Sequence, residues 1–199
     1  MPRARRRDSY TGYMKPSTDP RDAASDVDLP AGSESVDPAA LGRSVEHTGR
    51  LAADGKQLAI VAARFNEFVV DHLLDASVST WRQLGGRDED LTICRVPGSF
   101  ELGVAALRLA QTGRYAAVVC LGCVIRGETD HYDHVVNQAA RGVKDAGLNT
   151  GVPCIFGVLT CETLEQAIHR AGAKLGNAGR SAVMTACETA DLLERVTPR

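Results

Sequence analysis

The sequence has no hydrophobic run that approaches the roughly 18 residues of a membrane-spanning helix. Its net charge is only −2 at pH 7, so neither nucleic acid nor an anionic membrane is expected as a partner. The N-terminus lacks an apolar signal core, and we therefore expect no secretion by that route. What remains is a chain of 199 residues that is 44% hydrophobic, enough for a sizeable core.

The chain has six cysteines. Most of them lie in or beside apolar runs, which favours reduced, buried thiols in a cytoplasmic protein. Cys120 and Cys123 form a CxxC pair, which is typical of redox or zinc sites. The surrounding run, residues 116–125, is typical of a strand, in which residues three apart face opposite sides. We therefore predict that the two thiols do not share a metal.

Residues 1–55 differ in composition from the rest of the chain. A basic tip is followed, between Asp19 and Asp37, by six acidic residues and one basic residue mixed with Pro, Ser and Gly. Such a segment buries too little apolar area to offset its ordering entropy. We predict a disordered extension over 1–55 and a folded domain over 56–199. The extension could also be a docking tail or a transit peptide, although its acids argue against transit.

Short apolar runs alternate with helical patterns after residue 56. The runs cover residues 58–65, 91–96, 116–125 and 154–160, and the helical patterns cover 67–84, 99–111, a stretch from 132, one from 164 and 180–194. The alternation predicts an α/β fold with a parallel sheet and helices on both faces. Ligands of such sheets bind beyond the carboxyl ends of the strands, which directs attention to residues 64–66, 96–100, 126–131 and the stretch after Phe156.

The junction at residues 126–131 has the composition of an anion site. Gly127 allows unusual backbone angles, and the N–H groups of a helix start together with the Thr129 hydroxyl could bind phosphate. A plain turn is the alternative. His131 is a natural proton shuttle near neutral pH, or else a solvent-facing cap. Arg126 is adjacent in sequence but is not thereby aimed inward, and the spacing of the acids predicts no metal.

Other candidates have equally plain structural readings. Arg170 could grip phosphate, with Lys174 on the same helix face, or both could be solvated charges. Phe65, Phe100 and Phe156 could stack on a planar ring or pack in the core. Glu101 could complement a helix dipole or accept hydrogen bonds from a polyol.

Five stretches together carry a resemblance to a known family. They read ARFNEF, VPGSFELG, LGCVIRGETDHYDHV, GVPCIFGVLT and QAIHRAGAKLGNAG, in that order, across about residues 57–195. The chain resembles the lumazine synthases of riboflavin biosynthesis, and the extension lies outside the match.

The resemblance implies a fold, a reaction and an assembly. The fold is a three-layer α/β/α sandwich with a flavodoxin-like, four-stranded parallel sheet. The reaction condenses 5-amino-6-(D-ribitylamino)uracil with 3,4-dihydroxy-2-butanone 4-phosphate to 6,7-dimethyl-8-ribityllumazine, without metal or cofactor. The family forms homopentamers, some of which assemble into 60-subunit shells, with active sites at subunit interfaces, and riboflavin synthase is a further expected partner. The short turn from Gly172 to Gly179 favours a shell.

Site roles also follow from the resemblance. The catalytic general acid/base is His131. The substrate-binding residues are Phe65 on the pyrimidine, Ser99, Phe100 and Glu101 on the ribityl chain, Cys123, Val124 and Ile125 on the uracil edge, Glu128 and Thr129 on the phosphate, and Phe156, Arg170 and Lys174, of which the first two come from a neighbouring subunit.

Two positions depart from the family pattern. Ala178 stands where many relatives have lysine, and Asp130 where they often have an uncharged residue; an inward Asp130 carboxylate would repel phosphate.

Two other functions stay open. A non-catalytic flavin-binding module would bind flavin without turnover. A shell protein would use its tail to recruit cargo.

Overall fold

Four parallel strands form one sheet at the centre of the fold. The computed structural model describes residues 45–197. The strands are β1 (Leu58–Ala63), β2 (Leu91–Val96), β3 (Ala117–Ile125) and β4 (Cys154–Cys161), in the spatial order β2-β1-β3-β4. Each predicted strand is present. The carboxyl end of β4 is Cys161, so Phe156 lies inside this strand, within the apolar run predicted over 154–160.

Five helices connect and cover the strands. They are α1 (Glu67–Gln83), α2 (Leu102–Ala110), α3 (His131–Thr150), α4 (Leu164–Arg170) and α5 (Ala178–Val196). The helix predicted over 99–111 begins with a 3₁₀ turn, Ser99–Glu101, before α2 proper. Among residues 45–197, no helix combines the length and apolarity that a bilayer crossing requires.

The two faces of the sheet carry separate hydrophobic layers. On one face Val119 and Leu121 of β3 join a cluster that includes Leu73 of α1 and Val183 of α5. On the other, Val118 joins a cluster that includes residues of α2 and α3. Because strand residues alternate between faces, β3 supplies both layers. The result is the predicted three-layer α/β/α sandwich.

The two thiols of the CxxC pair lie on opposite faces, as predicted. Cys120 belongs to the layer under α2 and α3, and Cys123 to the layer under α1 and α5. Burial raises the pKa of Cys123 to about 12 and also raises that of Cys120, because a thiolate is poorly solvated there. All six cysteines are free thiols.

Residues 45–55, which the sequence analysis assigned to the extension, pack against α5. The Arg50 backbone N–H and guanidinium donate to the buried Asp191 carboxylate at 2.9 and 3.1 Å, and Ala53 is buried. These hydrogen bonds hold the pKa of Asp191 down, at about 2. The compact unit that contains the sheet begins at Val45. The first 44 residues of the predicted disordered extension lie outside the described residues.

Candidate functional site

A cleft of about 430 Å³ opens at the carboxyl ends of β1, β2 and β3. Nine of the residues predicted from the sequence line it: Phe65, Ser99, Phe100, Glu101, Cys123, Val124, Ile125, Thr129 and His131. We call this the first cleft. Its position agrees with the expectation for parallel α/β sheets, in which the loops after the strands form the binding crevice.

The loop after β1 presents an aromatic ring to this cleft. Phe65 is 71% exposed, and its backbone N–H donates to the Pro97 carbonyl at 3.0 Å. The next residue, Asn66, has φ 59°, a left-handed conformation that is uncommon outside glycine. Its side-chain amide nitrogen donates to the Cys123 carbonyl at 2.9 Å. Asn66 therefore joins the ends of β1 and β3, a role the sequence analysis missed.

The turn after β2 forms a second wall. Ser99 is buried, whereas Phe100 is 58% exposed. One carboxylate oxygen of Glu101 accepts the Gly98 N–H at 2.9 Å, which fixes the turn. A Cβ at Gly122 of β3 would lie 2.5 Å from the Ser99 hydroxyl oxygen, so glycine at 122 makes room for that hydroxyl.

The start of α3 completes the first cleft. His131 is the first residue of this helix and is exposed. Thr129 and His131 line the cleft, whereas the exposed Glu128 is not among the lining residues. Gly127 does not use the unusual backbone angles that glycine allows: its φ is outside the left-handed region, and an added Cβ would meet nothing. The backbone there does not require glycine.

Arg126 is not among the lining residues of the first cleft; the sequence had left its direction open. Its guanidinium contacts Asp133 and Glu162, and these hydrogen bonds raise its pKa above the ordinary arginine value. Among the residues that line the first cleft there is consequently no arginine or lysine.

Phe156 and Arg170 line a different cleft, of about 460 Å³, between β4, α5 and the turn that follows α4. We call this the second cleft. Lys174 is not among its lining residues. The prediction that Lys174 shares a helix face with Arg170 was wrong, because α4 ends at Arg170. The chain then turns through Gly172, with φ 121°, which places Lys174 in the loop.

Several lining residues of the first cleft had no assigned role. They are Pro97, Gly98, Tyr132 and Val135. The pattern that begins at residue 132 predicted only a helix. The spacing of Tyr132 and Val135 gave no means of distinguishing a core contact from a cleft contact. Among residues 45–197, no three His, Cys, Asp or Glu side chains are grouped as a metal would need.

Comparison with known proteins identifies the family. The family model described as 6,7-dimethyl-8-ribityllumazine synthase matches residues 55–194. The chain belongs to the 6,7-dimethyl-8-ribityllumazine synthase family of enzymes. The match spans all four strands and both clefts.

Named relatives in this lumazine synthase family come from plants and bacteria. The chloroplastic synthase of Arabidopsis thaliana is 51% identical over 153 residues, covering 76% of this chain and 67% of the relative. That of Spinacia oleracea is 51% identical and covers 71% and 64%. The synthase of Desulfotalea psychrophila is 49% identical and covers 73% and 94%. The matched region thus spans about two thirds of the plant proteins and nearly all of the bacterial one.

Proposed function

We propose that this chain condenses 5-amino-6-(D-ribitylamino)uracil with 3,4-dihydroxy-2-butanone 4-phosphate to form 6,7-dimethyl-8-ribityllumazine. The single observation that carries the proposal is the first cleft, in which an imidazole, two exposed aromatic rings and a carboxylate-capped turn lie together. The amine of the uracil would add to the ketone with loss of water, phosphate would leave, and the ribitylamino nitrogen would close the ring with loss of a second water.

Each group of lining residues has a role in this proposal. The Phe65 ring stacks on the pyrimidine, and the backbone of 123–125 reads the uracil edge. The turn at 99–101 binds the ribityl hydroxyls. Thr129 and the main-chain N–H of Glu128 contact the phosphate at the start of α3, and His131 moves protons. Holding two reactants in one orientation supplies much of the rate.

The phosphate also needs a cation, and the second cleft supplies it. Arg170 and Phe156 lie there rather than beside His131, which supports their assignment to the site of a neighbouring subunit. We therefore propose a homopentamer with shared sites, which could assemble further into a 60-subunit shell and associate with riboflavin synthase. Lys174 is proposed as an additional anion contact from its loop.

Two departures bear on the strength of phosphate binding. Asp130 is exposed and makes no side-chain capping hydrogen bond at the start of α3. Ala178 begins α5 and lines the second cleft, at the position where the family resemblance implies lysine. We propose that Lys174 takes over that charge, and that Asp130 weakens phosphate binding when its carboxylate turns inward.

The cellular location is also a proposal. The six free thiols favour a reducing compartment, and we propose the cytoplasm, although the plant relatives are chloroplastic by name. Microscopy of the full chain tagged at either end tests this, and signal confined to another compartment would contradict it.

A fluorescence assay tests the reaction itself. Purified full-length protein, given both substrates, should form the fluorescent lumazine faster than the spontaneous reaction, and omission of the phosphate substrate should abolish the signal. A parallel titration with flavin mononucleotide separates the alternatives. Tight flavin binding without turnover would favour a binding module and contradict the enzyme.

A further inference from the structure

Arg126 sits where the chain leaves β3 and is held by two other elements. Its backbone N–H donates to the Cys161 carbonyl at 2.9 Å, which continues the β3–β4 ladder beyond the last residue of β3. Its side chain points to α3. Arg126 therefore lies between the end of β4 and the first turn of the helix that carries His131.

The guanidinium makes a two-pronged contact with Asp133. The two terminal nitrogens, Nη1 and Nη2, each donate to one Asp133 oxygen at 3.2 Å. This fork-to-fork geometry constrains direction as well as distance. Asp133 is in the first turn of α3, so the contact fixes the beginning of the helix.

Two further contacts complete the arrangement. The Arg126 Nε lies 2.9 Å from a Glu162 oxygen, just after β4. The guanidinium carbon also lies 4.1 Å from the centre of the Tyr132 ring, within the range of a cation–π contact. Tyr132 follows His131 in sequence and lines the first cleft. The Arg126 guanidinium therefore packs against a ring that forms part of the wall of the first cleft.

The charges argue against a direct role in anion binding. One guanidinium faces two carboxylates, Asp133 and Glu162, so the cluster carries net negative charge. A phosphate would gain nothing from approaching it. Exposed ion pairs of this kind contribute little to global stability, so orientation is what the cluster supplies.

We propose that Arg126 is a positioning residue, whose guanidinium holds Tyr132 and the first turn of α3 so that the His131 imidazole keeps its place in the first cleft; this rests on the proposed function. The role is indirect, since Arg126 does not line the first cleft. It is carried by the fork to Asp133, the contact with Glu162 and the stacking on Tyr132.

The decisive variant is Arg126→Gln in the full-length protein. Misplacing a catalytic group by about 1 Å costs on the order of 100-fold, so kcat should fall by about 10- to 100-fold. The KM for the phosphate substrate should stay within about twofold, since no anion contact is lost. Arg126→Lys keeps the charge but loses the fork, so its kcat should lie between those of the wild type and Arg126→Gln. A raised KM with unchanged kcat would overturn the proposal.

Arg82 offers a matched control. It also makes a two-pronged contact, in which Nε and Nη2 donate to Asp88 at 2.7 and 2.9 Å. Arg82 lies in the last turn of α1, at the opposite end of that helix from Asn66. Arg82→Gln should leave kcat and both KM values within about twofold of the wild type. If the kcat of Arg126→Gln were as close to the wild-type value as that of Arg82→Gln, the positioning role would be contradicted.

A measurement without substrate separates this proposal from the proposed function. Amide hydrogen exchange at residues 128–135 should be faster in Arg126→Gln than in the wild type, and unchanged there in Arg82→Gln. Unaltered exchange would overturn the positioning role. A wild type without turnover would instead defeat the proposed function. Should Arg126→Gln fail to fold, Asp133→Asn removes the fork while leaving Arg126 and Glu162 in place, and the same expectations apply.

Discussion

The two clefts of this chain differ in the chemistry they hold. The first contains an imidazole, Phe65 and Phe100, but no arginine or lysine lines it. The second contains Arg170 and Phe156 but no histidine. A reaction that must neutralise a phosphate and also move protons needs both sets of groups. The difference supports our proposal that each copy of the chain holds two halves of a shared site, which are complementary rather than duplicated.

Subunit mixing gives the largest expected effect. With the phosphate substrate well below the wild-type KM, His131→Ala and Arg170→Ala should each show little activity alone. In a random mixture, about a quarter of the shared sites pair an intact His131 with an intact Arg170, because head-to-tail interfaces are asymmetric. Activity should therefore recover to about that fraction after the two variants are dissociated, mixed and reassembled.

Native mass spectrometry supplies the control for this experiment. Mixed oligomers must be seen before the recovered activity is compared. If mixed oligomers formed and no activity returned, each protomer would carry its own complete site, and the proposal of a shared site would be contradicted.

The Arg170→Ala variant alone should lose phosphate affinity. Loss of a charge-assisted contact of about 1.5–3 kcal/mol raises the KM for the phosphate substrate by roughly 10- to 100-fold. The KM for the uracil substrate should change little. Steady-state kinetics with each substrate varied in turn checks this.

Arg180 provides the matched comparison for Arg170. It lies at the start of α5, where its side chain donates to Gln83 at 2.9 Å, and it is not a lining residue of the second cleft. Arg180→Gln should leave both KM values near those of the wild type. Equal losses in the two variants would refute the assignment of phosphate binding to Arg170.

Gly122→Ala should disturb the first cleft and leave the second intact. The added Cβ would meet the Ser99 hydroxyl oxygen at 2.5 Å, and overpacking of this kind costs about 1–3 kcal/mol. The displaced Ser99 should raise the KM for the ribityl-bearing substrate. Urea unfolding and kinetics measure the two effects. Gly127→Ala, whose Cβ would meet nothing, should unfold at the wild-type urea concentration.

Asp191→Asn should have the smallest effect on either cleft, because Arg50 and Asp191 lie outside both. The folded pKa of Asp191 is about 2, below its ordinary value. Its ionisation therefore stabilises the fold above pH 4, and that contribution is lost as the pH falls towards 2. The urea midpoints of wild type and variant should differ at pH 7 and converge near pH 2. A constant difference would contradict the role of the charge.

The sequence predicted the sheet well because its physical signals are local. Each strand is a short apolar run between turn residues, and β3 alternates its side chains between the two core layers. The rule that ligands bind beyond strand ends then located Phe65, the turn at 99–101 and His131. These residues are each adjacent to a strand end or a helix start, so a one-dimensional pattern was sufficient.

Other features depend on contacts that no local pattern encodes. Lys174 was misplaced because α4 ends at Arg170, and the chain reverses at Gly172 with φ 121°. The left-handed conformation of Asn66 is stabilised by a carbonyl 57 residues away in sequence. The second cleft is formed by parts of β4 and α5 whose proximity arises only from folding.

The close approach of α2 and α3 at Gly103 and Gly142 has a mechanical consequence. A Cβ at Gly103 of α2 would come within 2.8 Å of the Gly142 Cα in α3, so these helices touch without side chains between them. Helix α2 continues from the turn at 99–101, and α3 begins at His131. A methyl group added at their crossing would push the two helices apart and so widen the first cleft, which lies between their N-terminal ends.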